Sequence, residues 1–400
     1  MKYEYDIDIE SPFSPGKPVN PEYFIGRRNI IKKILQRVGM AKKANVQHFY
    51  LTGTQGIGKT SIALYVEEYV RKYANMQTIY YSNKNNDSLD VLLSKIMEKI
   101  FNEFPKESIP EKVKTWFGEN VSSIDIKLTK VEFKPDKEIT YDLIHDFPHY
   151  IKQACDEFGK GIFLIIDDIN GLSNSSDFAN WYKQFTDTLE ADLDYNIPLY
   201  VLLVSYPEKF DALVVKEPTF GRIFHYEQLS KLSNEEVKKF FIDSFKDVQM
   251  TCTDEALEKM IYYSNGLPLM MQQIGDSIFW LNNNINYTIT EHLAQEGIMD
   301  AANQIASKQI RPILAQIKEE EYLNILIKIT TLKQEFKKSE LKTHLNNHEK
   351  ELLDNFLEDM LDLKILDNIN NQKQTYKFKN QLYQTYFQIK SIDINKKNLE

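Results

Sequence analysis

Gly53, Gly58, Lys59 and Thr60 lie in the stretch LTGTQGIGKTS, Leu51 to Ser61, with the spacing G-x-x-x-x-G-K-[ST]. These residue types at this spacing cradle phosphate. The glycines let backbone N–H groups close around a β-phosphate without Cβ clashes, the lysine reaches the β and γ oxygens, and the hydroxyl ligates magnesium. The whole loop, Gly53, Thr54, Gln55, Gly56, Ile57, Gly58, Lys59, Thr60 and Ser61, is the expected phosphate site, and a helix starting near Gly58 adds its dipole. GIFLIIDDIN supplies the second half. An apolar strand ending in Asp167 sets a carboxylate at the sheet edge, where it joins Thr60 in holding Mg2+. Asp168 then stands where a carboxylate could polarise an attacking water, although a turn acid or helix N-cap is its plainer reading. No N-K-x-D pattern that reads guanine follows the later strands. The expected ligands are therefore ATP and ADP with Mg2+.

The elements needed to position these residues can be read from periodicity. EYFIGRRNIIKKILQRV makes an amphipathic helix after Gly26, VQHFYLTG a strand, and TSIALYVEEYVRKYA a helix. QTIYYS is a second strand and DSLDVLLSKIMEKIFNEF its following helix, while VSSIDIKLTKVEFKPD, 121 to 136, alternates like a surface strand pair. ITYDLIHDFPHYIKQACDEFG reads as a helix interrupted near Pro148. The continuous apolar runs GIFLIIDD and PLYVLLVSY flank the helix SDFANWYKQFTDTLEAD and suit strands buried on both faces; RIFHYEQL is a shorter last strand. Alternation of this kind predicts an α/β, doubly wound parallel sheet over 22–228. From SNEEVKKFFIDSF the helical period dominates, giving a helical lid over 229–304. Three helices and a hairpin, DNINNQKQTYKFKN, predict a winged helix over 305–392 with a tail at 393–400. Ahead of it all, SPFSPGKPVNP has four Pro and one Gly and should run extended, as an arm over 1–21 leading into a domain. Asn-rich LNNNINY marks a loop.

Composition narrows the function. At 400 residues, 42% hydrophobic and 27% charged, the chain suits two or three globular domains. No apolar run approaches the roughly 20 residues of a membrane span. The start MKYEYDIDIESPF lacks an apolar secretory core, so a cytoplasmic location is expected. Cys155 and Cys252 are the only cysteines and suit buried reduced thiols. The net charge of −9 is the wrong sign for a protein whose whole surface courts nucleic acid. Arginine occurs only at Arg27, Arg28, Arg37, Arg71, Arg222 and Arg311, so an arginine at a motif position carries weight.

On these residues the chain resembles the AAA+ and STAND branches of P-loop ATPases, especially the archaeal and bacterial ATPases related to origin-recognition proteins. The resemblance covers most of the chain. PVNPEYFIGRR is similar to the family's Pro-rich lead and F-x-G-R box, which implies that Phe24, Ile25, Gly26 and Arg27 border the adenine. YSNGLPLMMQQIG resembles the G-x-P element of STAND lids, implying that Gly266, Leu267 and Pro268 close over base or ribose. Ser205, in VLLVSYPE, holds the position of the γ-phosphate sensor, where the family carries Asn, Thr or Arg. Arg222, in TFGRIFHYEQL, falls near a neighbour-reaching or intramolecular arginine. The lid stretch GLPLMMQQIGDSIFW lacks the sensor arginine of origin-type lids, and Asp-Asp replaces Asp-Glu, leaning toward a slow switch over a motor.

Three readings follow: a slow ATPase acting as a nucleotide switch, an origin-recognition or transposition-type DNA-binding ATPase, and a scaffold in which nucleotide only glues domains. The expected recognition helix, His348 to Leu363, carries Glu349, Glu351, Asp354, Glu358, Asp359 and Asp362 against Lys350 alone, a net of −5. Such a helix repels phosphate. Lys337, Lys338, Lys342 and the basic hairpin keep DNA contact through the wing open, while a packing module against the ATPase core or a protein partner is the favoured use of this domain; for the chain a protein partner or self-association is plausible. No membrane is expected as a partner.

Overall fold

Strands that are apolar on both faces up to their last residue belong inside a sheet covered on both sides, because a parallel sheet is packed by helices above and below. IFLIID and LYVLLVS do so, buried along their entire lengths. The computed structural model describes residues 10–18, 24–83, 87–117, 124–127, 130–133, 137–191, 196–282, 287–317, 320–369, 374–379 and 381–397. They divide into a sheet unit, 20–53 with 59–230, and a helical unit, 1–19 with 54–58 and 231–400. The Asn-rich stretch at 283–286 and the end of the Pro-rich arm at 19–23 lie outside the described residues.

In the sheet unit the order is α1 (Arg28–Ala41), β1 (Gln47–Thr52), α2 (Lys59–Tyr73), β2 (Gln77–Ser82), α3 (Leu89–Asn102), α4 (Ile109–Phe117), β3 (Ile124–Lys127) and β4 (Lys130–Phe133). There follow α5 (Lys137–Phe158), β5 (Ile162–Asp167), α6 (Asp177–Ala191), β6 (Leu199–Ser205), α7 (Pro207–Lys216), α8 (Phe220–Ile223) and β7 (His225–Gln228). Five strands pair in the order β2-β5-β6-β1-β7, every pair parallel. The alternating stretch forms an antiparallel pair, β3 with β4. Register brings the strand ends level: Ser82 pairs with Asp167, Asp167 with Val204, and Thr52 with Ser205. Ligands of open parallel sheets sit beyond this carboxyl edge. Behind it an aromatic core joins Tyr50, Tyr182, Phe220 and Phe224, with Tyr182 and Phe224 rings 4.9 Å apart. His48, partly buried beside the same core, pairs with Tyr182 Oη at 2.8 Å, and burial pulls its pKa down to about 3, so it stays neutral.

Helix α5 corrects the expected interruption, since it runs unbroken through Pro148. A proline there forfeits one hydrogen bond and costs about 3 kcal/mol. Leu143, Phe147, Tyr150, Ile151 and Ala154 are all buried on either side of it. Each such side chain contributes about 1.5–3 kcal/mol, so tertiary burial outweighs the break.

The helical unit continues with α9 (Asn234–Asp247), β8 (Thr251–Cys252), α10 (Asp254–Ser264), α11 (Pro268–Leu281), β9 (Thr288–Ile289) and α12 (Glu291–Ile305). A π-helical turn at Ala306–Ile310 leads into α13 (Arg311–Leu314). The last segment is α14 (Glu320–Ile329), β10 (Glu335–Lys337), α15 (Lys338–Thr343), α16 (Asn347–Asp362), β11 (Leu366–Asn368), β12 (Thr375–Phe378) and α17 (Gln381–Lys397). Three helices and the hairpin are thus in place. To these the structure adds β10, which pairs antiparallel with β12, and a long closing helix. A capping box, Asn346 with Glu349, starts α16.

The described part of the Pro-rich arm is not a free lead into a domain. Phe13 is buried, its ring 5.0 Å from Phe245 and 5.7 Å from Phe240, and Ser14 N–H donates to Gln272 Oε1 at 2.8 Å. Gly275 makes room for it, since a Cβ there would come within 2.3 Å of the Phe13 ring. Cys155 and Cys252 are free thiols, and burial pushes each pKa up to about 12, so both are inert.

Candidate functional site

The turn after β1 and the first residues of α2 deliver the phosphate-type residues. Lys59 Nζ donates to the Gly53 carbonyl at 2.9 Å and lies 4.3 Å from the centroid of the Tyr206 ring. Burial lowers its pKa to about 8, against the pull of Asp167, Asp168 and Glu208. The lysine is thus a desolvated cation facing acids, the condition in which a further anion gains most. Thr60 Oγ1 donates to Asp167 Oδ2 at 2.8 Å, and Tyr80 Oη donates to the same oxygen at 2.8 Å. Asp167 is buried, so these two hydroxyls compensate a carboxylate removed from water. Burial and the neighbouring carboxylate raise the pKa of Tyr80, which keeps it a donor.

Asp168 adopts the left-handed conformation, φ 64°, at the start of a 3-10 turn, Ile169–Asn174. No side-chain capping bond forms there, and its carboxylate instead accepts from Asn170 Nδ2. It is at once the turn acid of the plain reading and an acid beside Lys59. Asn170 Oδ1 accepts from Tyr206 N–H at 3.1 Å.

Ser205 is placed differently from a sensor. It is fully buried, paired with Tyr50 Oη at 2.8 Å, and donates to the Tyr206 carbonyl at 2.9 Å. Strand alternation turns its side chain into the aromatic core and leaves Tyr206, the next residue, against Lys59. Arg222 lies exposed in the last turn of α8, its backbone N–H donating to the Thr219 carbonyl at 2.9 Å. Phe24 packs on Tyr65 of α2 with ring centroids 4.9 Å apart, and the chain enters α1 through two successive left-handed residues, Gly26 (φ 82°) and Arg27 (φ 60°).

Residues 54–58 group with the helical unit. Leu269 N–H donates to the Gly56 carbonyl at 3.1 Å, and a Cβ on Gly56, whose φ is 75°, would fall 2.8 Å from the Leu269 side chain. Pro268 Cγ is 3.8 Å from the Cβ position of Gly58. Pro268 of the G-x-P element and the adjoining Leu269 thus pack on Gly58 and Gly56 within the same unit. Leu267 is buried at the N-cap of α11 and Pro268 is its first residue, where a missing N–H costs nothing. Gly266 serves packing: its φ is 66°, and a Cβ would meet the Leu232 carbonyl at 2.4 Å. Gly266→Ala is expected to cost about 2 kcal/mol or more, and Gly159→Ala, also left-handed but with open space around it, about 1 kcal/mol. Thermal unfolding of the two variants checks this ordering.

Sequence reasoning missed Tyr80, Asn170 and Tyr206. Tyr80 shares a strand face with Ser82, the register partner of Asp167, a relation visible only once β2 and β5 are paired. Among the described residues no group of three or more His, Cys, Asp or Glu could hold a metal by itself, and no helix is long and apolar enough to cross a membrane.

No family model matches the sequence, and no curated protein is similar to it. Solved structures do match. The chain is similar to the Aeropyrum pernix ORC2 protein, determined as ADPNP-ADP complexes, at 13% identity over 92% of this chain and 93% of that one, TM-score 0.52. It is similar to the Walker-type ATPase PABY2304 of Pyrococcus abyssi at 14% identity, 92% and 96% coverage, TM-score 0.52. A third is Cdc6p from Pyrobaculum aerophilum, at 13% identity, 96% and 98% coverage, TM-score 0.51. With a five-stranded parallel sheet, a glycine-rich loop after β1 and an acid at the end of β5, the chain has the P-loop NTPase fold of these solved structures.

Proposed function

We propose that the protein binds ATP and ADP and hydrolyses ATP slowly as a nucleotide-dependent switch of the AAA+/STAND type. The observation that carries this reading is the convergence of Lys59, Thr60 and Asp167 at one sheet edge, with Thr60 and Asp167 hydrogen-bonded at 2.8 Å. Lys59 would pair with β and γ oxygens, and Phe24, Ile25, Gly26 and Arg27 would border the adenine. Thr60 and Asp167 offer the hard oxygen donors that suit Mg2+, which usually keeps waters and phosphate oxygens as its other ligands. When bound, the ion would neutralise phosphate charge. Asp168 would take the proton of an attacking water. With Ser205 committed to Tyr50, sensing falls to other groups, and exposed Arg222 is the candidate to reach a neighbouring copy.

The DNA-binding alternative rests on reading α14 to β12 as a winged helix. Lys377 of β12 and Lys337 of β10 favour it. Against it, the exposed residues of α16 include Glu351, Asp354, Glu358, Asp359 and Asp362, while Glu349 is buried on Lys328 at 2.5 Å. That outer face repels phosphate, so a protein partner or a second copy is the better occupant.

The test is titration with ATP, ADP and GTP, together with turnover and mass measured with and without duplex DNA. Micromolar adenine-nucleotide binding with slow, DNA-independent turnover is expected; strong stimulation by DNA would move the assignment to the alternative, and binding without turnover to the scaffold. A switch also requires that ADP and a non-hydrolysable ATP analogue differ in effect, since only differential affinity shifts a conformational equilibrium. Limited proteolysis across 283–310 should give different cleavage rates with the two ligands. Identical patterns would leave nucleotide as structural glue.

A further inference from the structure

Lys59 rests on the ring of a residue whose backbone is tied on both sides. Tyr206 N–H donates to Asn170 Oδ1 at 3.1 Å, its carbonyl accepts from Ser205 Oγ at 2.9 Å, and that hydroxyl is anchored on Tyr50 Oη at 2.8 Å inside the core. The ring carried by this tethered backbone lies 4.3 Å from the ammonium. Asn170 has a second bond, from Nδ2 to the Asp168 carboxylate. One amide therefore ties the end of β6, which carries the ring, to the turn after β5, which carries the acid. Asp168 is left-handed, a conformation that persists in a non-glycine residue when its surroundings over-determine it.

We infer that Asn170 and Tyr206 are positioning residues that bracket the phosphate site, holding Lys59 and Asp168 in one frame. The inference rests on the nucleotide reading of Lys59 and Asp168 given above. The residue types fit the task. A planar amide can accept from a backbone N–H and donate to a carboxylate at the same time, which neither Asp nor Ala can do. An aromatic face holds an ammonium without neutralising it, so the cation keeps its charge for phosphate. The phenol hydroxyl is not needed for that contact, so phenylalanine should serve and leucine should not. A residue that merely completes a turn would make no such distinction.

The experiment uses the full chain with Mg2+, measuring ADP affinity by calorimetry and the single-turnover cleavage rate of bound ATP. Tyr206→Phe should match the wild type within about twofold, and Tyr206→Leu should bind ADP about three- to tenfold more weakly. Asn170→Asp keeps the acceptor for Tyr206 N–H and replaces the donor with a like charge against Asp168. It should bind ADP within about twofold of wild type but cleave ATP about ten- to a hundredfold more slowly. If Asn170→Asp does not fold, Asn170→Ala, which removes the donor to Asp168 without adding a charge, takes its place and should slow ATP cleavage to a similar degree. Tyr206→Leu at wild-type affinity, or Asn170→Asp at wild-type cleavage rate, overturns the bracket while leaving the nucleotide reading intact. A wild type that binds no ADP overturns the nucleotide reading, and the bracket with it. One that binds ADP but cleaves no ATP overturns the Asp168 half together with the general-base assignment.

Discussion

Lys59→Ala is expected to bind ATP and ADP about two to three orders of magnitude more weakly, because truncating one partner of a buried charge contact costs 2–5 kcal/mol. The fold should survive, since removing an ammonium that is desolvated where it stands relieves a burial cost as well as losing its contacts with Gly53 and Tyr206. Its pH signature is specific. The pKa of Lys59 is lowered from 10.5 to about 8 in the folded chain, so between these values the unfolded chain binds more protons than the folded one. Stability of the nucleotide-free wild type therefore gains a contribution as pH rises through that window, and the alanine variant lacks the gain. Nucleotide affinity moves the opposite way, falling above pH 8 as the cation is lost. Calorimetric titration at pH 7 and 9, beside chemical denaturation of the free proteins, measures both. Unchanged affinity in a folded Lys59→Ala would remove the phosphate-site assignment.

Asp168→Asn should retain nucleotide and Mg2+ but cleave ATP about 10²–10⁴-fold more slowly, because an amide cannot accept the water's proton. Asp167→Asn should fail differently. It weakens the Mg2+ requirement and disturbs the two hydroxyl donors, Thr60 and Tyr80, that converge on Asp167 Oδ2. Magnesium titration at fixed ATP separates the two variants, as does single-turnover cleavage at saturating Mg2+. Loss of binding alone in both would overturn the division of roles between neighbouring carboxylates.

Where the chain announced itself, it did so through local patterns of uniform polarity. β5 and β6 were legible because both faces are apolar, and the phosphate loop because glycine, lysine and threonine are needed there at fixed offsets. What stayed hidden depends on register or on distant packing. Ser205 and Tyr206 are adjacent, and nothing local says which of them faces Lys59; the aromatic core around Tyr50 decides it. Pro148 looks like a helix breaker until the buried stripe on both sides is counted. α17 was missed because QLYQTYFQIKSI interleaves polar and aromatic residues without one clean apolar stripe, and β10 because three residues carry no period.

The seat of Phe13 has a consequence for biosynthesis. Ser14, its neighbour, is hydrogen-bonded to a residue 258 positions further along the chain. On a ribosome adding roughly 5–20 residues per second, that partner emerges tens of seconds later, after the parallel sheet has had its opportunity to form. Through that interval an aromatic side chain and a proline-rich strand wait beside the tunnel exit without the surface that will cover them. The helical unit is therefore closed by residues that flank the sheet unit in the chain, and a fragment begun at residue 231 would be born with an open socket at Gly275.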